Sequence, residues 1–124
     1  MKIWTLLLAL SCGACSAGFA MRSTERYQQD TREVLATRDS QIQSCYNHAL
    51  SRDPALYGDV VVKFDVKEET GKFENPSIVD EETTAPGVLQ ECVLNALQDL
   101  ELTPGDEQKA EATYTWSCSA QPQG

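Results

Sequence analysis

Basic residues are scarce in this chain of 124 residues. It has 10 lysines and arginines against 19 aspartates and glutamates, which gives a formal net charge of −9. Contacts to phosphates need Lys and Arg, so this composition argues against a nucleic acid as partner. The charges are also unevenly placed: residues 1–52 carry six basic and four acidic side chains, and residues 53–124 carry four basic and fifteen acidic ones. The length predicts a single folded domain.

Motifs of the common enzyme classes are missing as well. The sequence contains no Walker A loop, no G-x-G-x-x-G and no G-x-S-x-G nucleophile turn. There is one histidine, and the acidic run Asp80–Glu82 lacks the spacing of a calcium-binding loop. We therefore expect a protein that is not an enzyme and that has no cofactor and no metal.

No apolar run approaches the roughly 20 residues that a membrane-spanning helix needs. The N-terminal run Ile3–Leu10 follows a lysine and precedes small residues, which is the layout of a secretory signal peptide. Cys15 follows two small residues, as in lipoproteins, although Cys12 stands where such sites have leucine. We predict a lipoprotein signal peptide over residues 1–14 and lipidation of Cys15. The alternatives are a soluble protein cleaved after Ala20 and an uncleaved anchor.

The predicted signal peptide implies a location outside the cytoplasm. Ser16, rather than aspartate, after the candidate cysteine resembles lipoproteins of the outer membrane. We expect a protein held by its lipid anchor on the periplasmic side of that membrane, or otherwise one that is soluble in the periplasm or secreted. In each case the compartment is oxidising and favours disulfides.

Residues 15–39 are polar and rich in arginine. Their thin apolar stripe predicts a tether or a loosely docked helix. The basic residues could hold it near the membrane or against its own acidic domain. The folded domain is predicted over residues 40–118, with a flexible tail over 119–124.

The periodicity of apolar residues within 40–118 predicts the order α-β-β-α-β. The first helix begins with the Ser-x-x-Gln capping box at Ser40, and a strand with a period of two begins at Gly58. A second strand contains Pro76, which predicts a kink or an edge position. A second helix begins near Pro86 and buries an apolar face that includes Val88. We predict an α+β fold in which two helices cover one face of a three-stranded antiparallel sheet.

The cysteines of the two helices have related positions. Cys45 and Cys92 both lie on predicted buried faces of helices that cover the same sheet, so we expect a disulfide between them. Free core thiols are one alternative. Another is a thiol-active or zinc site that also uses His48 and Cys118. Cys118 would otherwise stay free, exchange into the pair, or link two chains into a dimer.

One set of residues stands in the order and spacing of a known domain family: Ile42, Cys45, Tyr46, Ala49, Leu50, Pro54, Leu56, Gly58, Val60, Val62, Phe64, Val66, Gly71, Cys92, Val93, Leu97 and Pro104. This set resembles the AgmX/PglI C-terminal domain, which occurs in envelope proteins of gliding bacteria and has a fold similar to the TonB C-terminal domain. The resemblance covers residues 42–118 and implies the same element order and a cysteine pair at Cys45 and Cys92. The final strand lacks the family's Tyr-Pro, and the sequence has no proline-rich spacer, so we do not expect a complete TonB-type energy transducer.

These features together predict a non-enzymatic interaction module of the bacterial cell envelope. We expect it to bind unidentified envelope proteins by strand addition, in which an exposed sheet edge pairs with an extended segment of a partner. A structural role in a motility or envelope-spanning complex is a further alternative. The preferred edge is the last strand, with the residues Ala110, Glu111, Ala112, Thr113, Tyr114, Thr115, Trp116 and Ser117.

Overall fold

The computed structural model of the protein describes residues 19–119. The predicted signal peptide, the candidate lipidation site Cys15 and most of the predicted tail lie outside these described residues. The elements are β1 (Phe19–Ala20), α1 (Thr24–Ala36), α2 (Asp39–Arg52), β2 (Gly58–Val66), β3 (Phe73–Ile78), a short 3-10 helix (Asp80–Glu82), α3 (Gly87–Ala96), β4 (Gly105–Asp106) and β5 (Ala110–Cys118).

The main sheet has three antiparallel strands in the order β3-β2-β5. Strand β2 pairs with β5 without a shift of register from Gly58 opposite Cys118 to Val66 opposite Ala110. Directly opposite residues share a face of the sheet. The inner face therefore combines the apolar side chains of β2 with alternate residues of β5, among them Tyr114 and Trp116. The other face of β5 carries exposed polar side chains.

All three helices contribute to one hydrophobic core. The cluster contains Leu35 from α1, Tyr46 from α2 and Leu89 from α3, together with the inner side chains of β2. The predicted α+β fold class is confirmed: helices pack on one face of a three-stranded antiparallel sheet. The additional helix is α1, which forms from residues that the sequence assigns to the tether or loosely docked helix. Among residues 19–119, no helix has the length and apolar character needed to cross a membrane.

The β2–β3 turn depends on a glycine. Gly71 has a φ of +72°, a conformation that costs glycine little because it has no Cβ. A Cβ at this position would also collide with the backbone carbonyl oxygen of Leu102. The backbone N–H of Leu102 donates to the Gly71 carbonyl at 2.8 Å. The turn is thus held directly against the segment that leads to β4.

Three local predictions are wrong. Helix α2 begins at Asp39, after a two-residue connection from α1, and its N-cap residue is Arg38, whose side chain has no acceptor atom and makes no capping bond. The capping box at Ser40 is therefore absent. Val88 is 47% exposed: it lies beside, not within, the buried stripe that begins at Leu89. Cys45 is exposed as well, because the face of α2 toward the sheet is the one that contains Tyr46.

The predicted disulfide is confirmed. Cys45 of α2 is bonded to Cys92 of α3, with a distance of 5.7 Å between their Cα atoms and a separation of 47 along the sequence. Cys92 is buried, so the bond joins the exposed flank of α2 to the inner face of α3. It ties together the two helices that cover the central strand.

Removing this disulfide should weaken the fold markedly. We expect the double substitution Cys45→Ser/Cys92→Ser to lower the free energy of unfolding by about 4 kcal/mol, because the cross-link restricts a loop of about 48 residues in the unfolded chain. Urea denaturation followed by circular dichroism measures the change. Cys118→Ala, which removes the free thiol without burying a hydroxyl group, serves as the cysteine control and should change it less. Equal stability of the double variant and the parent would contradict a structural role for the bond.

Candidate partner-binding groove

Strand β5 directs half of its backbone groups away from the sheet. The Val61 N–H donates to Thr83 Oγ1 at 3.0 Å and the Val61 carbonyl accepts from the Val79 N–H at 2.8 Å, both on the β3 side. Backbone groups of successive residues point to opposite sides of a strand. The even-numbered residues of β2 therefore bond to the even-numbered residues of β5. The outward N–H and C=O groups of β5 belong to Glu111, Thr113, Thr115 and Ser117.

The opposite edge of the sheet is obstructed. In β3, Pro76 has no N–H to donate, and Asn75 has a φ of +55° beside a shift of register. The outward N–H of Phe73 already donates to the Leu100 carbonyl at 3.0 Å, and Lys72 forms a bridge to Glu101. Such features protect an edge from further pairing. Strand β5 has nine residues in regular register and is the better template of the two.

A groove of about 680 Å³ runs between α1 and β5. One wall is α1, which presents Tyr27, Thr31 and Leu35 at intervals of four residues. The other wall is the first half of β5, with Phe64 of β2 also contributing. The two exposed basic residues Arg32 and Lys109 and the acidic residue Glu111 also line it. The outward backbone groups of β5 thus lie next to a cleft that has both apolar and charged walls.

Helix α1 is held in place by a buried ion pair. The side chain of Asp106 in β4 is fully buried, and its Oδ2 atom accepts from the backbone N–H of Arg22 at 2.8 Å and from Arg22 Nη1 at 3.4 Å. Its Oδ1 atom accepts from the Gln108 N–H at 2.9 Å. A buried carboxylate needs such partners, because an unpaired charge away from water is costly. Asp106 therefore fixes the segment that leads into α1.

Further bonds extend this ion pair along α1. Arg22 Nε donates to Asp30 at 2.7 Å, and Arg22 Nη2 donates to the Pro104 carbonyl at 2.8 Å. The Tyr27 hydroxyl donates to the Gln108 carbonyl at 2.8 Å. Burial, with the nearby Asp106 charge as the next cause, raises the pKa of Tyr27, so its hydroxyl stays protonated as a donor. The helix is thus bonded to the segment just before β5.

Strand β4 is also held from the side opposite α1. Its two residues pair in parallel with β1, Gly105 opposite Phe19 and Asp106 opposite Ala20. The carbonyl of Asp106 accepts from the Glu69 N–H at 2.8 Å. A Cβ at Gly105 would collide with the Glu69 carbonyl oxygen, so glycine is required for this close approach. The carboxylate of Asp106 is consequently positioned by backbone contacts on both sides.

The cysteines and the histidine do not form a reactive site. The disulfide occupies Cys45 and Cys92, and His48 is an exposed residue of α2. Cys118 is free and buried at the end of β5, and burial raises the pKa of its thiol, which disfavours the reactive thiolate. Within the described part of the chain, no three His, Cys, Asp or Glu residues are grouped so as to hold a metal ion.

One buried polar atom at this end of β5 has no partner among residues 19–119. The indole Nε1 of Trp116 is buried and makes no hydrogen bond to any of these residues, although such a donor usually has one when buried. Trp116 and Cys118 line a second, smaller cavity of about 280 Å³ next to α2. The ring of Trp116 also contacts Tyr114 edge to face, with 4.8 Å between their centroids.

The predicted edge residues are brought together as one strand, but the residues that shape the groove were not identified from the sequence. Asp106 and Arg22 are far apart in the chain, and their pairing has no local signal. Helix α1 did have a local signal in the sequence. Ser23 is a good capping residue, and its side chain accepts from the Arg26 N–H at 3.2 Å. Tyr27, Thr31 and Leu35 also recur at a helical spacing. The partner-binding role of β5 itself remains a prediction.

The α+β fold of this chain is like that of a TonB C-terminal domain. It is similar to the solution NMR structure of the Helicobacter pylori TonB C-terminal domain, with a TM-score of 0.50 and 17% sequence identity over 68% of this chain and 81% of that one. No protein-family model matches the sequence, and a search of curated proteins finds no match. The likeness to the TonB fold is confirmed, and membership of the AgmX/PglI family stays a prediction.

Neutralising Asp106 should release α1. We expect Asp106→Asn, which keeps the size of the side chain, to leave Arg22 without its buried charge partner and to cost about 3–5 kcal/mol. Hydrogen exchange of residues 24–36 measures the loss of protection in α1, and urea denaturation measures the loss of stability. Glu107→Gln removes the same charge at the exposed neighbour and should leave the exchange rates unchanged. Unaltered protection of α1 in Asp106→Asn would show that the ion pair does not hold it.

The Asp30 carboxylate should make stability depend on pH in the acid range. The hydrogen bond from Arg22, followed by that from Arg26, holds the pKa of Asp30 below its ordinary value of 3.8. A lowered pKa means that the stabilisation is present above the ordinary value and is lost as the pH falls through the lowered one. We expect Asp30→Asn to lower the urea midpoint at pH 7, and the difference from the parent to shrink below about pH 4.

Glu33→Gln, on the same helix, is the control for this pH dependence. Its side chain is exposed and bonds only to Gln29, at 3.3 Å. The contrary result is that the urea midpoints of Asp30→Asn and the parent differ by the same amount from pH 7 to pH 2. That result would mean that the charge of Asp30 does not stabilise α1.

Proposed function

We propose that the protein is a non-enzymatic interaction module that binds its partner by strand addition along β5. The observation that carries this proposal is the regular outer edge of β5, whose outward backbone groups have no partner among residues 19–119 and lie next to a groove. Backbone hydrogen bonds to an added strand give affinity that depends little on sequence, and the neighbouring cleft can select side chains. The exposed threonines at Thr113 and Thr115 suit a strand that must stay soluble when unoccupied.

We further propose that the module works in the bacterial cell envelope. The Cys45–Cys92 disulfide fits a protein exported to an oxidising compartment, and the signal-like residues 1–14 support the same route. In this proposal Cys15 carries the lipid anchor, and the domain faces the periplasm from the outer membrane. The resemblance to the AgmX/PglI domain supports a place in a motility or envelope-spanning complex.

The thiol-active or metal-binding alternative is not favoured. Its chemistry would need Cys45, His48, Cys92 and Cys118 to act together, whereas two of these thiols are consumed by the disulfide. The remaining thiol, Cys118, is buried and has a raised pKa. We therefore put forward the interaction function alone.

Proline substitution on β5 tests the proposal. Thr113→Pro and Thr115→Pro each remove an outward N–H without removing a hydrogen bond to β2, because the odd-numbered residues of β5 face away from it. We expect each to reduce capture of the partner by about tenfold or more, since an added strand loses a backbone bond and meets the proline ring. Crosslinking in intact cells from a photoreactive residue at position 117 measures capture.

Thr113→Ala and Thr115→Ala are the matched controls. They remove the same side chains but keep the backbone N–H, so capture should be close to that of the parent. Urea denaturation shows whether each proline variant is folded. If folded proline variants capture the partner as well as the alanine variants do, strand addition along β5 is wrong.

A further inference from the structure

We propose that the groove selects an acidic extended segment, with α1 as a second wall of the binding site. This rests on the proposed strand addition along β5 and concerns the chemistry of the strand that is added. The backbone edge of β5 binds the main chain of the partner, while Arg32 of α1 and Lys109 before β5 attract its aspartate or glutamate side chains.

The first support is that these two basic residues form no ion pair within residues 19–119. Arg32 and Lys109 are both exposed and line the groove. Within the described part of the chain, neither has a carboxylate in ion-pair range. Arg22 and Arg26, which lie on the same segment, are by contrast both bonded to Asp30. Of the three cations that line the groove, Arg22 is therefore paired within the fold, whereas Arg32 and Lys109 are available to a partner.

The second support is the contrast with the rest of the molecule. The chain has a formal net charge of −9, and the exposed face of the sheet carries the carboxylates of Asp65, Glu74 and Glu111 directly opposite one another on adjacent strands. An acidic segment would be repelled by most of this surface. In the groove it meets the two exposed cations Arg32 and Lys109 and the single carboxylate of Glu111. Charge complementarity thus directs such a segment to one place.

The third support is the direction in which side chains of an added strand would point. Side chains alternate between the two faces of a sheet, so one set from the partner would enter the groove toward α1. Leu35 and Tyr27 lie at the base of the groove and are almost wholly buried, so the group of this set nearest to α1 meets the exposed guanidinium of Arg32. A segment with alternating small or apolar residues and with carboxylates near Arg32 and Lys109 fits these walls. A basic segment does not.

A random decapeptide library displayed on phage tests this even while the natural partner is unidentified. The library is selected on the immobilised protein, and the bound sequences are read out. We expect aspartate and glutamate to be enriched over lysine and arginine. Each ion pair formed should contribute about two- to fivefold to this enrichment. Raising the salt concentration should reduce the enrichment, because exposed charges are screened.

Charge reversal supplies the matched comparison. Arg32→Glu/Lys109→Glu should abolish the acidic enrichment and favour basic sequences instead. Arg52→Glu/Lys67→Glu makes the same change of net charge at exposed residues outside the groove and should keep the acidic preference. Binding should also be lost in Thr113→Pro while it persists in Thr113→Ala, because the groove acts only together with the edge.

The outcomes separate this inference from the proposed function. Selected peptides that depend on the β5 backbone but show no acidic enrichment would overturn the acidic preference and leave strand addition standing. Peptides that bind Thr113→Pro as well as the parent would overturn both. Acidic enrichment that survives Arg32→Glu/Lys109→Glu would also overturn the inference, since the selection would then come from another surface.

Discussion

The buried ion pair between Asp106 and Arg22 is the interaction on which the arrangement of the surface depends. A carboxylate that is fully buried must be compensated, and its partners come from the Arg22 side chain, the Arg22 backbone and the Gln108 backbone. These bonds join the segment before α1 to the loop before β5. Without them, α1 would be a polar helix with a narrow apolar stripe and little to fix its position. The ion pair, together with the buried Leu35 and the Tyr27–Gln108 hydrogen bond, thus sets the position of α1 next to β5.

The two edge strands of the sheet, β3 and β5, differ in how far they can pair with a further strand. Strand β3 is closed by a proline, an irregular register and a bridge to Glu101, which are common means of preventing unwanted pairing. Strand β5 has none of these and carries its outward N–H and C=O groups on four alternate residues. The asymmetry leaves β5 as the edge with regular outward backbone groups, which is the edge that the proposed strand addition uses.

Much of the fold could be predicted from local patterns. The strand over Gly58–Val66 follows from the alternation of its own residues, and the pairing of Cys45 with Cys92 follows from the requirement that two helices cover one sheet. Long-range contacts could not be predicted in this way. From its sequence neighbours, Asp106 would be expected in an exposed loop, and only the folded chain shows that it is buried against Arg22. Val61 also reads as an outward residue, but it is buried because the segment Val79–Thr83 bonds along its strand.

The parallel pairing of β1 with β4 has a mechanical consequence. Ala20 lies opposite Asp106, and β5 begins four residues later, at Ala110. From Ala20 two connections lead into the domain: the chain itself continues into α1, and the pairing with β4 leads to the start of β5. A pull applied to the chain on the N-terminal side of Phe19 would therefore act on α1 and on β4 at the same time. The Asp106–Arg22 ion pair joins these two segments and would resist their separation.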